Sequence, residues 1–180
     1  MFGRINFAAT ESFDAIVGRP SGPIFGGGAR ISLPYGGLFA DVGASRYRGE
    51  GERLFVANNE IFKLGIPVTI TVTPIELSAG WRFRIRRMPK FMPYAAGGLT
   101  ILKYRETSDF AASGEDADDS FNGYHVIVGA EYKITRWLGL ASEASWSTVP
   151  NAIGQSGVSK AFNETDLGST TFRVKITIGR

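Results

Sequence analysis

Apolar side chains alternate with polar or small ones along most of the chain, which is the pattern of a β-strand whose two faces meet different surroundings. The alternation is clearest over residues 171–178, where one face is entirely aliphatic or aromatic and the other is polar or cationic. Helical periodicity is hard to find. The pattern predicts eight strands, at Ser12–Val17, Ile24–Leu33, Leu38–Tyr47, Ile75–Ile85, Tyr94–Tyr104, Tyr124–Ile134, Trp137–Val149 and Thr171–Ile178.

The predicted connections alternate between short and long. An up-and-down sheet with short turns at one end and long loops at the other is typical of outer-membrane barrels. The first connection, Gly18–Pro23, is the exception because it is short but belongs to the long end. The short turns are predicted at 34–37, 86–93 and 135–136, and the long loops at 48–66, 106–120 and 150–168.

An open eight-stranded sheet with an apolar face would leave unpaired backbone groups at two edges, and closure into a barrel removes them. The chain has 180 residues, the size of one ordinary domain, so we expect a single barrel domain spanning 1–180. No window approaches the roughly 20 apolar residues of a membrane-spanning helix. The predicted fold class is therefore all-β, an eight-stranded antiparallel up-and-down transmembrane barrel.

The polar faces are rich in glycine and serine and carry charges of both signs, which suits a crowded lumen with lipid outside. The apolar faces carry aromatic residues toward the strand ends, where the girdles of membrane barrels lie; they are Trp81, Phe83, Tyr132, Trp146 and Phe172. Facing charges in a narrow lumen should form a bonded network that closes it and leaves no large pore. The predicted network comprises Asp14, Arg30, Asp41, Glu76, Arg82, Arg84, Glu131, Glu143, Arg173 and Lys175. The alternative is a soluble, lipocalin-like ligand-binding barrel, in which the same alternation has an apolar lumen.

Several short motifs, spread over nearly the whole chain, resemble the outer-membrane protein β-barrel domain family. The resemblance implies an outer-membrane location and a barrel similar to the OmpA transmembrane domain, and it implies no catalytic residues. One departure is the closing Gly179-Arg180, where such barrels usually end on an aromatic residue. The motifs are Phe13-Asp14-Ala15, Gly26-Gly27-Gly28, Gly51-Glu52-Arg53, Lys63-Leu64-Gly65-Ile66-Pro67, Ala79-Gly80-Trp81-Arg82, Pro93-Tyr94-Ala95-Ala96-Gly97-Gly98, Gly123-Tyr124-His125 and Ile178-Gly179-Arg180.

Candidate catalytic chemistry is sparse. His125 is the only histidine, and a lipid A-modifying barrel would need it beside a serine and a carboxylate. Ile127 stands where a deacylase pattern would have serine, so a lumenal hydrogen-bonding role is favoured. Glu131 and Glu143 could be a carboxylate pair for glycoside chemistry, but the nearby arginines favour a structural ion network. We expect no enzyme activity and no cofactor.

The remaining charge features change the picture little. The acidic loop 106–120 lacks the spacing of an EF-hand, so a solvated loop is favoured over a calcium site and no metal is expected. The basic residues around 82–90 fit a turn that faces lipid headgroups, and the net charge of +3 does not indicate nucleic-acid binding. There is no cysteine and therefore no disulfide framework.

Met1–Arg4 is not followed by the apolar stretch of a signal peptide, so either the chain is cytosolic or an exported protein has lost its signal peptide before this start. We expect an outer-membrane protein that contacts lipid and lipopolysaccharide and has a structural or surface-interaction role. Any protein or envelope partner would bind its external loops.

Overall fold

The computed structural model describes residues 1–34, 36–57, 60–108, 117–155 and 157–179. Eight antiparallel strands form one closed barrel in chain order, and β1 closes it by pairing with both β2 and β8. The predicted all-β, eight-stranded up-and-down fold is confirmed. The strands are β1 (Phe2–Phe7), β2 (Ser21–Ser32), β3 (Leu38–Ala57), β4 (Glu60–Arg82), β5 (Phe91–Thr107), β6 (Ala117–Lys133), β7 (Leu138–Thr148) and β8 (Ser169–Ile178).

The first predicted strand is wrong. Residues Ser12–Val17 belong to helix α1 (Thr10–Val17), and the strand that closes the barrel is β1, which the alternation does not predict. The helix forms because Phe13, Ile16 and Val17 share one helical face and pack together onto a buried apolar cluster. Gly18 ends the helix with a φ of +74°, a left-handed conformation that suits glycine.

The strands β3 and β4 are much longer than predicted and run through most of the expected 48–66 loop. They pair from Leu38 with Trp81 as far as Ala57 with Glu60, with a register shift between Glu52 and Leu54. The connection is thus a two-stranded ribbon that projects beyond the other strands. We call this end of the barrel the long-loop end, and the end with the turns 33–37, 83–90 and 134–137 the short-turn end.

The two faces of the wall have opposite polarity. On β8 the outward side chains of Phe172 and Ile176 are 62% and 70% exposed, whereas Arg173 between them is 4% exposed. On β7 Leu140 is 46% exposed and Glu143 is 4% exposed. The barrel therefore turns its aliphatic and aromatic side chains outward and its ionised side chains into the lumen. This is the polarity predicted from the alternation.

The larger of the two apolar clusters in the lumen lies at the long-loop end. Phe7 and Phe13 stack there with ring centroids 4.0 Å apart, and the edge of the Tyr47 ring packs on both. We call this buried cluster the apolar cap because helix α1 seals it from outside through Phe13. Its buried members are Ile5, Phe7, Ala9, Phe13, Ile24, Tyr47, Ile70, Val72, Leu102, Val149, Ala152 and Leu167.

The β7–β8 connection folds over the apolar cap and contains the short helix α2 (Gly157–Ala161). The carboxylate of Glu164 accepts hydrogen bonds from the backbone N–H groups of Glu11 and Ser12, both at 2.9 Å. These are orphan donors of the first turn of α1, so Glu164 caps the helix from a distant part of the chain. In the described part of the chain, neither helix is long and apolar enough to cross a membrane.

Candidate functional site

The centre of the lumen is an ion pair between neighbouring strands. Arg173 on β8 lies directly opposite Glu143 on β7, and its Nε donates to Glu143 Oε2 over 2.6 Å. The same guanidinium donates through Nη1 to Glu76 Oε2, on β4, over 2.5 Å. The side chains of Arg173 and Glu143 are 2% and 0% exposed. Two carboxylates on one buried guanidinium form charge-assisted bonds that hold β4 to the β7–β8 pair across the lumen.

Glu143 is the most heavily engaged carboxylate. Besides Arg173, it meets Lys175 Nζ at 2.7 Å and Arg30 Nη2 at 3.3 Å. The hydroxyl of Tyr94 donates to Glu143 Oε1 over 2.5 Å. Four residues on the three strands β2, β5 and β8 thus contribute a donor or a charge to one side chain, which satisfies the carboxylate where water is excluded.

Arg30 extends the network toward the short-turn end. Its Nε donates to Asp41 Oδ2 over 2.8 Å, and the two residues are direct cross-strand partners on β2 and β3. The guanidinium also lies 4.4 Å from the ring centroid of Phe39 and 4.5 Å from that of Tyr94. Such stacking suits arginine, because its planar cation is weakly hydrated and is attracted by the ring faces.

The network is looser at its short-turn edge. Glu131 Oε2 is 3.6 Å from Arg82 Nη2 and 4.0 Å from Arg30 Nη1, and Glu131 Oε1 accepts a hydrogen bond from the Thr177 hydroxyl at 3.2 Å. These residues border a cavity of about 460 Å³ that lies between the network and the short-turn end. Its polar lining and size suit water molecules that bridge the loosely paired charges.

Eight of the ten residues predicted for the network meet in the lumen. They are the four carboxylates Asp41, Glu76, Glu131 and Glu143 and the four cations Arg30, Arg82, Arg173 and Lys175.

Two of the ten predicted network residues lie elsewhere, and the prediction is wrong for them. Asp14 is exposed on α1, because its segment is a helix and not a strand. Arg84 is exposed in the turn after β4, because that strand ends at Arg82.

His125 has the lumenal hydrogen-bonding role predicted for it, whereas its partners Ser78 and Thr100, and also Ser145, are polar lumenal residues that the sequence did not single out. His125 is 3% exposed and hydrogen-bonds through Nε2 to Ser78 Oγ and through Nδ1 to Thr100 Oγ1, both at 2.8 Å. Ser145 Oγ donates to Glu76 Oε1 over 3.4 Å. The alternation places His125, Ser78 and Ser145 on inward faces and leaves the face of Thr100 ambiguous. A serine or threonine in a strand carries no further signal that it will meet a charged or imidazole partner.

His125 does not stand in a deacylase-like arrangement. Ile127, two residues on, is buried against Phe39 and Tyr94 in a small apolar cluster. Ser78, which does hydrogen-bond His125, is itself 7% exposed and faces the lumen. The Ser78–His125 pair is therefore enclosed by the wall, on the opposite face from the exposed apolar side chains.

The five aromatic residues predicted to face lipid all point outward. Their exposed fractions are 43% for Trp81, 52% for Phe83, 50% for Tyr132, 45% for Trp146 and 62% for Phe172.

The acidic loop is only partly described. Asp109, Glu115 and Asp116 lie outside the described residues. At the loop's base, Asp118 forms an ion pair with Arg105 on the neighbouring strand. Within the described ranges, no group of three or more acidic, histidine or cysteine side chains could hold a metal ion.

Comparison with protein-family models gives no match, and comparison with curated proteins gives none either. Among solved structures, the fold is similar to the crystal structure of neisserial surface protein A (NspA), with a TM-score of 0.59. The sequences are 15% identical, and the alignment covers 99% of this chain and 92% of that one. At that identity the likeness concerns the fold alone. The resemblance to the outer-membrane protein β-barrel domain family stays a prediction.

The fold and lumen together define a class: closed eight-stranded antiparallel barrels with an apolar exterior and a charged, side-chain-filled interior. NspA is a protein of similar fold, and this chain shares that architecture over nearly its whole length.

Proposed function

We propose that this protein is a bacterial outer-membrane β-barrel with a structural or surface-interaction role, a closed lumen and no enzymatic activity. The observation that carries the proposal is the polarity of the wall. Ile176 and Ile178 are 70% and 77% exposed, while Arg173 and Glu143 are buried at 4% each. A barrel in water would bury the first pair and expose the second, because burial of apolar surface drives folding there.

The extent of the exposed apolar surface supports a lipid environment. Large apolar side chains with exposed fractions above 40% occur on most strands, among them Leu77, Leu99, Val126 and Val174. Soluble monomers rarely expose contiguous apolar patches of more than a few hundred Å². A closed barrel also satisfies every ladder hydrogen bond within the wall, which hydrocarbon requires. The lipocalin-like alternative needs a soluble exterior, and this exterior does not provide one.

Closure of the lumen rests on two layers of side chains. The network around Arg173 and Glu143 fills the middle, and the apolar cap around Phe7 and Tyr47 fills the long-loop end. The cavity of about 460 Å³ lies on the short-turn side of both layers. We therefore expect no steady porin-like conductance when the protein is reconstituted in planar bilayers.

The long-loop end is the part of the molecule best suited to meet a partner outside the cell. The β3–β4 ribbon projects there and exposes Phe55 and Phe62, which are cross-strand partners with exposed fractions of 56% and 46%. We propose that lipid and lipopolysaccharide surround the wall and that any protein or envelope partner binds this end.

An enzymatic role is the second candidate, because the hydrogen bond between Ser78 and His125 is the contact that a lipid A-modifying barrel would use. Its enclosure in the lumen argues against access by an acyl chain. The test is release of fatty acid from lipopolysaccharide by the folded protein in detergent. We expect no release from the wild type, and release that His125→Ala abolishes would establish the enzyme.

The proposal itself is tested by the migration of the folded protein on gels with and without boiling, together with its dependence on detergent. Closed membrane barrels stay compact in detergent until they are boiled, so we expect two bands and precipitation when detergent is removed. A protein that stays monodisperse without detergent and migrates at one position would overturn the membrane assignment.

A further inference from the structure

Charge is distributed very unevenly between the two ends of the barrel. The chain has 17 acidic residues. Among those that the structure describes, four face the lumen, and the others fall in the helix, strand extensions and loops of the long-loop end. The turns of the short-turn end contain no acidic residue, whereas they and the adjoining strand end carry Arg84, Arg86, Arg87, Lys90, Lys133 and Arg136. All six of these cations are exposed.

A cavity of about 580 Å³ lies within this basic end, between the 33–37 and 83–90 turns. Four cations line it, namely Arg82, Arg84, Arg86 and Lys133, and no carboxylate lines it among the described residues. Arg82 is engaged by Glu131 at 3.6 Å. The other three make no ion pair with any described residue, so their charge is available to a ligand.

Apart from Ser32 and two glycines, the remaining lining of the cavity is apolar. Leu33 and Ile85 contribute to it and are 40% and 37% exposed. Trp81, near the end of β4, and Phe83, at the start of the turn, are 43% and 52% exposed on the outward face. Aromatic residues of this kind mark the level where hydrocarbon gives way to headgroups in membrane barrels. A ligand here would meet cations and apolar side chains together.

From these observations we propose that the short-turn end binds the phosphate of an anionic glycerophospholipid, with Arg84, Arg86 and Lys133 around the headgroup. The inference rests on the proposed function, because the lipid is supplied by the leaflet that the short turns face. Arginine binds phosphate oxygens in a bidentate manner, and lysine adds a point charge. The apolar lining favours a phosphate that belongs to a lipid, because a free phosphate would gain nothing from contact with Leu33 and Ile85.

The test measures binding of dihexanoyl phosphatidylglycerol to the folded protein in nonionic detergent by native mass spectrometry. Dihexanoyl phosphatidylcholine and glycerol 1-phosphate are measured beside it. We expect phosphatidylglycerol to bind more tightly than both. In the Arg84→Gln/Arg86→Gln variant its affinity should fall roughly fivefold for each arginine removed, the factor of one basic residue at an anionic lipid surface. The loss should shrink as salt is raised, since screening weakens exposed charge interactions.

The matched control is Arg46→Gln/Arg48→Gln, which removes two exposed arginines from the outward face of β3 near the long-loop end. This variant should bind phosphatidylglycerol as the wild type does. Equal losses in both variants, or no preference of the wild type over phosphatidylcholine, would overturn the proposal. If glycerol 1-phosphate binds as tightly as the lipid, the proposal that the phosphate belongs to a lipid is overturned. The gel migration of the same sample is measured with and without boiling. If the shift on boiling is retained but the lipid does not bind, the lipid site is wrong and the membrane assignment stands.

Discussion

Glu143 and Arg173 are direct partners across the β7–β8 ladder, and Arg173 Nε donates to Glu143 Oε2 over 2.6 Å. The register that pairs β7 with β8 also places these two charges opposite each other. The ion pair therefore favours this register of the two strands. A shift of one residue would move Arg173 to the lipid-facing side of the wall. Lys175, two residues further along β8, stays on the same face and reaches the same carboxylate at 2.7 Å.

Glu143→Gln should strongly destabilise the barrel. The substitution keeps the shape but leaves Arg173, Lys175 and Arg30 without the carboxylate that they share. Breaking a buried ion pair by removing one partner costs about 3–5 kcal/mol. The free energy of unfolding, measured by urea titration in detergent, should fall by that order. Glu50→Gln removes a carboxylate whose side chain is 78% exposed beside Arg48 and should change it by less than about 1 kcal/mol. Similar losses in both variants would refute the central role of Glu143.

The turn 33–37 should be intolerant of a side chain at its last position. Gly37 has a φ of +135°, and a Cβ there would lie 2.5 Å from the carbonyl oxygen of Arg82. The Gly37 carbonyl accepts the Arg82 N–H at 2.8 Å, so the turn cannot move away without losing that bond. Gly37→Ala should lower the unfolding free energy by about 1–3 kcal/mol. Gly27→Ala is the control, because a Cβ at Gly27 meets nothing within 4 Å. A Gly37→Ala protein as stable as the control would show that the turn relaxes.

The strands and their facing were predictable because alternation reports directly on a wall with lipid on one side and a packed lumen on the other. That logic fails at the long-loop end, where the lumen is filled by the apolar cap. In β1, Ile5 and Phe7 point inward while Arg4 points outward, the reverse of the rule that holds for β8. The strand was missed for this reason. The segment with Phe13 was instead assigned to a strand, because six residues are too few to separate the two periodicities.

Alternation predicts which face of the wall a residue lies on, but neither its position along the barrel axis nor its neighbours. The partners within the lumen could therefore not be predicted from it. Arg84 has the alternation of a lumenal residue and lies beyond the end of β4 at Arg82. Tyr94, which donates to Glu143, begins a predicted strand whose sequence does not distinguish its two faces, because the four residues after Tyr94 are all small. Register depends on how the strands are staggered, and the stagger depends on the whole barrel.

Asp166 should govern the order of the β7–β8 connection. Its Oδ1 accepts the backbone N–H groups of Val149 and Gly168, both at 2.7 Å, and its Oδ2 accepts the Thr148 hydroxyl at 2.6 Å. Asp166→Ala removes all three bonds, each with a charged acceptor and worth more than an uncharged bond. Cleavage by trypsin after Lys160 should accelerate at least roughly tenfold, because local opening precedes proteolysis.

The control for Asp166→Ala is Asp14→Ala, whose exposed side chain on α1 makes no hydrogen bond or ion pair with a described residue. It should be cleaved at the wild-type rate. If Asp166→Ala is also cleaved at that rate, the connection is held by the contacts of Glu164 and the apolar cap, and the carboxylate of Asp166 is dispensable.

Tyr104 should make the barrel sensitive to alkali. It lies on β5 between the exposed residues Lys103 and Arg105, above the apolar band of the wall. Burial raises the pKa of its phenol well above the ordinary value of about 10, and the carboxylate of Glu106, which accepts a hydrogen bond from the Tyr104 hydroxyl over 3.2 Å, raises the pKa further. The folded state therefore keeps the proton at a pH where the unfolded chain has lost it. Stability from this group is fully present below pH 10 and declines as the pH rises beyond it.

The measurement for Tyr104 is the free energy of unfolding in detergent at pH 8 and at pH 11. The wild type should lose stability between them, and Tyr104→Phe should lose less, because phenylalanine has no proton to release. Glu106→Gln should give an intermediate loss, since it removes the charge that opposes ionisation but leaves the burial. An unchanged difference between the two pH values in Tyr104→Phe would mean that other groups dominate the alkaline transition. In that case the phenol would have to reach solvent in the folded barrel.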